Sequence, residues 1–577
     1  MDGSSGAAAT TSRTRNRDIE SLEVAASWPG AERDTLVVLA VRLAGAGADA
    51  EGFRFFQQLA EANPGQPLPL ALAGFFQVRA GGDIETALAK LDQAAAADLG
   101  PPQYFRGLAL AHERDPRRAE QAVTDLEFVL AVRDQFPPLL MRAVHQGLAA
   151  AYATLGKDDL AAEADRRSGL GSLPAGSRLE FGGFWATAED GFRFTSPAIS
   201  QPEPGIQVAQ GYDFGDFAFI STAEGVVAID AGTREERVRA ALRDAGLDDG
   251  RPISHLILTH AHYDHVGGAG ALIGPGTEVI AQAGFPADQE KQRRITMPFR
   301  YFTGGGKSTG DGLVPRRLIG EPESVTVGGT EFRLYPAPGG ETPDALMVFL
   351  PASGLLFTGD VLMPYLGIPF ASEGSPDGLL DGMRLIRELK PRALIQGHTP
   401  LTDLFTIEAL SGLEPALSEL RDRVLDDIRG NRTLPEVLER NHLPEILRDH
   451  PRAVQPYVVI RDHFTARLYH ERTGYWQPDG GGLANVSAGQ RAAALDLLAE
   501  GREDRFASAA TSLVEQGDAA TALEIIASGL LRHPASTALA ALRQTALYRL
   551  MALHQVADPF TFLIYADMAG AEIGPVG

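Results

Sequence analysis

The chain has 577 residues, of which 44% are apolar and 22% are charged, so it is a globular protein too long for one hydrophobic core, and we expect three or four domains. Its net charge of −23 argues against a nucleic-acid backbone or an anionic membrane surface as the main partner. The absence of cysteine excludes disulfides and thiolate metal ligands, so any metal ion must be held by His, Asp or Glu.

The beginning of the chain predicts little ordered structure. Residues 1–30 are expected to be disordered, and their first part is rich in Ser, Ala, Gly and Thr without the apolar run of a secretory signal. The longest apolar stretch, around Pro67–Val78, is too short to span a bilayer. We therefore expect a cytoplasmic protein without a membrane span.

Residues 31–176 have an Ala/Leu-rich helical pattern and are predicted to form a helical domain. Helix pairs recur within it, and Gly74, Gly107 and Gly147 fall at similar places in successive first helices, 33 and 40 residues apart. This spacing is close to the tetratricopeptide period. One interpretation is a groove that binds a protein partner. The interpretation we favour is a helical cap packed on a catalytic domain.

Residues 177–425 are predicted to form an α/β catalytic domain. Strands are predicted within Ile206–Ile220 and Gly225–Gly232, followed by a helix over Arg234–Ala245. The apolar run Ser254–Leu258 then predicts a buried parallel strand. The segment Thr259–Gly268 follows this strand directly, so its side chains are expected at the carboxyl edge of a sheet.

This segment contains a dense group of metal-binding side chains. His260 and His262 are two residues apart and can reach one ion, while Asp264 and His265 point to a second position beside it. Three further predicted strands end near ionisable residues, which are Glu341, Asp360 and His398. Four strand ends thus bring ligands to one edge of a sheet, as a two-metal hydrolytic site requires.

The His-x-His-x-Asp-His pattern opening into Gly-Gly resembles the metallo-β-lactamase superfamily over roughly Gly205–Pro400. The resemblance implies an αββα sandwich and a role for each position. His260, His262 and Glu341 are the implied ligands of a first metal, with Glu341 in place of the usual His of a Gly-His-Thr-Pro turn. The implied ligands of a second metal are Asp264, His265 and His398, with Asp360 bridging the two ions.

A Glu at position 341 resembles the alkylsulfatase branch of that superfamily, whose enzymes hydrolyse alkyl sulfate esters. The stretch Ile206–Asp213 is similar to the entry strand of that branch, and residues 433–476 resemble the passage into its helical dimerisation domain. The resemblance implies that residues 426–577 form a helical dimerisation region and that the protein is a homodimer.

The chain departs from the alkylsulfatase pattern at two places in the site. These enzymes usually carry Glu where this chain has Asp360, and a downstream Leu-Arg-Gly element whose arginine binds the sulfate. Here the corresponding segment, Met363–Phe370, contains no arginine. The candidate substrate-binding residues are Tyr365 of this segment and Arg300, Tyr301 and Lys307 of another loop, and Arg293 is a further possible source of positive charge.

Together these features predict a dinuclear metal-dependent hydrolase of alkyl sulfate esters or a related small-molecule ester, acting through a metal-bound hydroxide. The expected cofactor is two divalent ions, either zinc or, because Glu341 hardens the site, manganese or iron. Asp264 is the predicted catalytic residue, both as ligand and as the group that orients the water. The alternatives are a lactone, thioester or β-lactam hydrolase of the same fold, and a scaffold protein that works through its N-terminal helical repeats.

Overall fold

The structure is a computed structural model that describes most of the chain. The described residues are 16–95, 103–133, 136, 140–171, 173, 179, 182–187, 191–294, 310, 312–363, 373–474, 477–480, 483–556 and 558–576. Within these ranges, no helix combines the length and the apolar composition needed to cross a bilayer.

Helices make up the N-terminal region as far as residue 168. Their bounds are α1 (Arg17–Ala26), α2 (Arg33–Gly45), α3 (Asp49–Ala62), α4 (Pro67–Arg79), α5 (Ile84–Ala95), α6 (Gln103–Ala111), α7 (Pro116–Ala131), α8 (Leu140–Thr154) and α9 (Asp158–Ser168). Consecutive helices from α4 onward pack in pairs, α4 with α5, α6 with α7 and α8 with α9. Helix pairs therefore recur, as predicted. The expectation of disorder over residues 1–30 is wrong at α1, because its apolar side chains Leu22 and Ala25 are buried against other helices.

The three glycines that suggested a repeat lie at close helix contacts. A Cβ at Gly74 would lie 2.9 Å from a side-chain carbon of Leu91 in α5. A Cβ at Gly107 would lie 2.7 Å, and a Cβ at Gly147 2.8 Å, from side-chain carbons of Leu126 in α7. Gly74 and Gly107 thus each allow a first helix to approach the second helix of its own pair, whereas Gly147 packs on the preceding pair.

Two β-sheets form the centre of the molecule. In the described part of the chain, the first sheet contains, in spatial order, β3 (Ala198–Glu203), β4 (Ile206–Gln210), β5 (Phe217–Thr222), β6 (Gly225–Ile229), β7 (Ile253–Ile257), β8 (Glu278–Gln282) and β9 (Arg317–Ile319). The second sheet contains β10 (Glu323–Val327), β11 (Thr330–Pro336), β12 (Leu346–Leu350), β13 (Leu355–Gly359) and β14 (Ala393–Gln396). As predicted, β7 is buried at its end and pairs in parallel with β6 and β8.

The side-chain alternation of the strands explains why the two sheets stack. In β5, Ala218 and Ile220 point into the core shared by both sheets, while Phe217 and Phe219 point to the outer face of the first sheet. Phe332 of β11 contributes to the shared core from the second sheet. Burial of each large apolar side chain in this layer stabilises the fold by about 1.5–3 kcal/mol.

Helices cover the outer faces of both sheets. The segments α10 (Glu235–Asp244), α11 (Tyr263–Val266) and α12 (Phe285–Gln292) follow strands of the first sheet, and α13 (Pro376–Leu389) lies between β13 and β14 in sequence. Val238 of α10 packs against the first sheet, and Met383 of α13 belongs to the core cluster that contains Leu356 of the second sheet. The predicted αββα layering is confirmed.

The remaining helices follow the sandwich. They are α14 (Ile407–Arg429), α15 (Leu434–Glu439), α16 (Val454–Thr473), α17 (Ala488–Leu498), α18 (Glu503–Glu515), α19 (Ala519–Arg532), α20 (Thr537–Leu553) and α21 (Pro559–Ala569). The N-terminal helix α2 packs on α20, and α1 packs on α16. The two helical regions are thus in direct contact with each other.

Buried polar contacts join the two helical regions. Arg42 of α2 is almost fully buried, forms an ion pair with Asp558 and donates to Leu553 O at 3.1 Å. A short hairpin of β1 (Trp185–Thr187) and β2 (Gly191–Arg193) precedes the first sheet, and Ala186 exchanges two backbone hydrogen bonds with Ile573, at 2.8 and 2.9 Å. Residues near both ends of the chain are therefore parts of one packed body.

Candidate metal centre

Four strand ends bring the predicted ligands together. His260 and His262 follow β7 directly, and the first turn of α11 carries Asp264 and His265. The other ligands come from the turn after β11 (Glu341), the residue after β13 (Asp360) and the turn after β14 (His398). All seven predicted metal ligands thus lie at one edge of the sandwich, in two groups that share Asp360.

The first group consists of His260, His262, Glu341 and Asp360, whose ligand atoms all lie within 4.8 Å of one another. Glu341 Oε2 is 3.2 Å from His262 Nδ1 and 3.4 Å from His260 Nε2. Asp360 Oδ2 is 3.7 Å from His260 Nε2. The glutamate that replaces the expected histidine therefore occupies a ligand position.

The second group consists of Asp264, His265, Asp360 and His398, within the same 4.8 Å limit. Asp360 Oδ2 lies 3.2 Å from His265 Nε2 and 2.9 Å from His398 Nε2. Asp264 Oδ2 lies 3.5 Å and 3.4 Å from the same two nitrogens. Because Asp360 belongs to both groups, its carboxylate can bridge two ions, as a two-metal site requires.

The donor atoms of the first group fit a divalent cation. His260 Nε2, Glu341 Oε2 and Asp360 Oδ1 are buried and have no hydrogen-bond partner. An unpartnered buried polar atom is costly, and a cation held by these atoms would remove that cost. Imidazole and carboxylate ligands without thiolate suit zinc, manganese or iron.

Neighbouring groups orient the histidines of the second group. His265 donates from Nδ1 to Asp230 Oδ2 at 2.8 Å, and Asp230 also accepts from Thr259 N and from Thr259 Oγ1. His398 donates from Nδ1 to Phe214 O at 2.9 Å. These bonds fix each ring so that Nε2 faces the ligand group.

Glu373 makes the corresponding contact to His262 in the first group. Its Oε2 lies 2.6 Å from His262 Nε2, and its Oε1 accepts from Gln292 Nε2 at 2.6 Å. Lys291 Nζ lies 3.5 Å from the same Oε1. Asp230 lies in the predicted strand Gly225–Gly232, where it was assigned no role, and Glu373 was not predicted because it follows no predicted strand.

Burial and charge set the protonation of the site. Burial, helped by the neighbouring His265 and His262 rings, lowers the pKa of His260 to about 3, so its Nε2 is free to bind a cation. Burial would raise the pKa of Asp360, but the His265 and His398 rings outweigh it and hold that pKa well below its usual range. The Asp360 carboxyl is therefore ionised although it is buried.

The predicted substrate-binding residues cannot be compared with the structure. Arg300, Tyr301, Lys307 and Tyr365 lie outside the described residues. Arg293, another possible source of positive charge, forms an ion pair with Glu290 on α12. Lys291 of the same helix contacts the site through Glu373.

The fold and the site together define a known class of domain. Residues 211–398 match the metallo-beta-lactamase superfamily, and this part of the chain is a metallo-beta-lactamase domain. The chain is similar to a linear primary-alkylsulfatase of a Pseudomonas species, with 21% identity over 344 residues, which is 53% of this chain. The match covers 64% of that enzyme, so the chain spans less than two thirds of its relative.

Two further similarities extend this comparison. A hydroxyacylglutathione hydrolase of Rhodospirillum rubrum is 29% identical over 222 residues, which is 37% of this chain and 75% of that protein. The solved structure of a stereoselective inverting sec-alkylsulfatase from Pseudomonas sp. superposes with a TM-score of 0.54 at 19% identity, over 64% of this chain and 65% of that one. At this identity the superposition supports the fold.

Proposed function

We propose that the protein is a metal-dependent hydrolase that acts on alkyl sulfate esters or a closely related ester. The observation that carries the proposal is the sharing of Asp360 between two groups of buried ligands, three of whose atoms have no other partner. Such a pair of groups is suited to two divalent ions, with zinc as the first choice. Two ions held by a common carboxylate are the arrangement that hydrolytic metal sites use.

When bound, the ions would supply Lewis acidity, which lowers the pKa of water towards neutrality and offsets negative charge developing on the substrate. The side chains of the protein orient the water molecule and the ligand atoms. Asp264 Oδ2 faces His265 and His398, and we assign this carboxylate the role of orienting the water molecule. His260 would bind through Nε2, since its Nδ1 donates to Thr259 Oγ1 at 3.0 Å.

The choice of alkyl sulfate rests on three features of this chain. Glu341 stands in the ligand position that resembles the alkylsulfatase branch. The similarity to the Pseudomonas alkylsulfatase extends over 344 residues, which is longer than the domain matched at residues 211–398. The C-terminal helices α14–α21 follow the domain, as the resemblance predicts for the dimerisation region.

The decisive experiment is the release of inorganic sulfate from dodecyl sulfate by protein loaded with zinc or manganese. We expect metal-dependent release that Asp264→Ala abolishes. A protein that holds two metal ions but releases no sulfate would contradict the alkyl sulfate assignment and leave the metal centre standing. Metal-free protein serves as the blank.

A second candidate is hydrolysis of an acyl-thiol ester. The similarity to the hydroxyacylglutathione hydrolase supports it, because that match covers 75% of the relative. The same loaded protein should be assayed with hydroxyacylglutathione by following the appearance of free thiol. A higher kcat/KM for this substrate than for dodecyl sulfate would reverse the order of the two candidates.

We also propose that the protein forms a homodimer through its C-terminal helices. Two adjacent large apolar side chains are exposed at the end of α17, with Leu497 81% and Leu498 76% accessible to solvent. Single exposed apolar residues are common, but an adjacent pair exposed to this degree favours an interaction surface. Light scattering coupled to size exclusion should give a dimer mass for the wild type and a monomer mass for Leu497→Glu with Leu498→Glu.

A further inference from the structure

Glu373 is a buried carboxylate that lies outside the two ligand groups. Among the members of those groups, it contacts His262. It is 8% exposed and lies 2.6 Å from His262 Nε2. His262 Nδ1 lies 3.2 Å from Glu341 Oε2 in the first ligand group. The two nitrogens of His262 therefore face different carboxylates, one inside the group and one outside it.

His262 is the ligand histidine with the greatest exposure. Its side chain is 17% accessible, compared with 2% or less for His260, His265 and His398. A ring at the rim of the site is held by fewer packing contacts, so its orientation depends more strongly on hydrogen bonds. Glu373 supplies the hydrogen bond that Asp230 supplies to His265.

The position of Glu373 is itself fixed from several sides. Gln292 and Lys291 of α12 both contact its Oε1. The next residue, Gly374, has a φ of +58°, and a Cβ there would overlap the carbonyl oxygens of Gly340 and Glu341. Only glycine fits so close a backbone approach.

The C-terminal helix α16 also reaches this segment. Arg467 donates from Nη2 to Gly374 O at 3.1 Å. On the other side, Ser375 N donates to Gly339 O at 3.0 Å, and Ser375 Oγ accepts from Gly378 N as the N-cap of α13. The backbone around Glu373 is thus tied to the turn that carries Glu341.

We propose that Glu373 is a positioning residue for the first metal group. It accepts the Nε2–H of His262 and so leaves the Nδ1 lone pair available for the ion that His262 and Glu341 would hold together. The same segment packs on the backbone of Glu341, so Glu373 sets the distance between the two ligands as well as the ring orientation. This inference rests on the proposed function, because it assigns Glu373 a role only if the first group holds a metal.

The test is a titration of the full-length, metal-free protein with Co²⁺, followed by its visible absorption and by competition with a chelator. Glu373→Gln keeps the shape of the side chain and removes its charge. Glu290→Gln, on the exposed face of α12, is the matched control because it removes one carboxylate from the same region. Neither measurement depends on catalytic activity.

We expect the wild type and Glu290→Gln to bind two equivalents with the same spectrum. Glu373→Gln should bind one equivalent about 10- to 100-fold more weakly, as is usual for loss of a carboxylate behind a ligand histidine, and its absorption bands should shift. Wild-type affinity and spectrum in Glu373→Gln would overturn the inference and leave the metal centre intact. A wild type that binds no cobalt would overturn both the inference and the proposed function.

A second variant covers the case in which Glu373→Gln fails to fold. Gln292→Ala removes the donor that holds Glu373 Oε1 and leaves the carboxylate in place. We expect a smaller weakening of the same equivalent of Co²⁺, with a spectral shift in the same direction. An unchanged titration in Gln292→Ala would then count against the positioning role.

Discussion

His265 donates from Nδ1 to Asp230 Oδ2 at 2.8 Å, and the backbone of Asp230 is in the left-handed region, with a φ of +60°. A non-glycine residue in this region is strained unless its surroundings hold it there. Asp230 also accepts from the backbone and the hydroxyl of Thr259, next to His260. Asp230, whose backbone is strained, thus links His265 of the second ligand group to Thr259, the residue before His260 of the first group.

Asp230→Asn tests this link without changing the shape of the side chain. Asparagine tolerates a positive φ, so we expect the variant to fold. One of its two acceptor oxygens becomes a donor. At Oδ2 this removes the acceptor of His265 Nδ1 and of the Thr259 hydroxyl, and at Oδ1 it removes the acceptor of Thr259 N. Metal affinity should fall about 10- to 100-fold, measured by competition with a chelator. Affinity equal to that of the wild type would show that Asp230 serves the fold alone.

Asp264→Ala should remove activity without unfolding the protein. We expect the rate to fall by about 10²- to 10⁴-fold, the range for losing a group that orients and deprotonates a reacting water. In metal-free protein, the melting temperature should stay within experimental error of the wild type. Asp248→Ala, on the exposed segment between α10 and β7, is the control substitution. A globally unfolded Asp264→Ala would instead assign this residue a structural role.

Metal uptake should depend on pH because protons compete for the site. Burial favours neutral rings, but nearby carboxylates outweigh it and raise the pKa of His262, His265 and His398 above the usual value. These rings therefore carry protons above pH 6.5 in metal-free protein, and an ion must displace them. Affinity should rise with pH through and above neutrality, with proton release visible as a buffer-dependent heat in calorimetry. A binding heat independent of the buffer would contradict this.

Asp558→Asn should destabilise the contact between the two helical regions. Burial would raise the pKa of Asp558, but Arg42 and His554 outweigh it and lower that pKa below the usual 3.8. The substitution leaves Asp18, at 3.2 Å, as the carboxylate paired with Arg42, and breaking a buried ion pair costs about 3–5 kcal/mol. Denaturant unfolding at pH 7 measures this loss of free energy.

The unfolding free energy lost in Asp558→Asn should become smaller at low pH. Because the pKa of Asp558 is lower in the folded state, its contribution is complete above pH 3.8 and is lost as the pH falls towards the folded-state pKa. The difference in unfolding free energy between the wild type and Asp558→Asn should therefore shrink as the pH is lowered from 4 to 3. Asp504→Asn, at an exposed pair with Arg502, is the control and should show little change at any pH.

The candidate ligand groups were predictable from the sequence because their residues follow strands whose apolar pattern is local. His260 to His265 lie within six residues, Asp360 comes directly after the buried strand β13, and His398 follows β14 by two residues. Glu341 was found by the same rule, one turn after β11. The αββα layering followed from the same strands together with the resemblance they carry.

The contacts that orient these residues, and those that join the two helical regions, were not predictable because they connect residues far apart in the chain. Glu373 is 111 residues from His262, and Arg42 is 516 residues from Asp558. Neither pair leaves a periodic pattern, since each depends on the packing of several elements at once. Sequence therefore predicts the ligands themselves better than the groups that orient them.

The backbone bridge between Ala186 and Ile573 makes the integrity of the molecule depend on α21 and the segment after it. A protease cut or a premature stop before residue 558 would remove both the strand partner of Ala186 and the carboxylate that neutralises Arg42. We expect such a product to be incompletely folded even though it contains every ligand of the candidate metal centre.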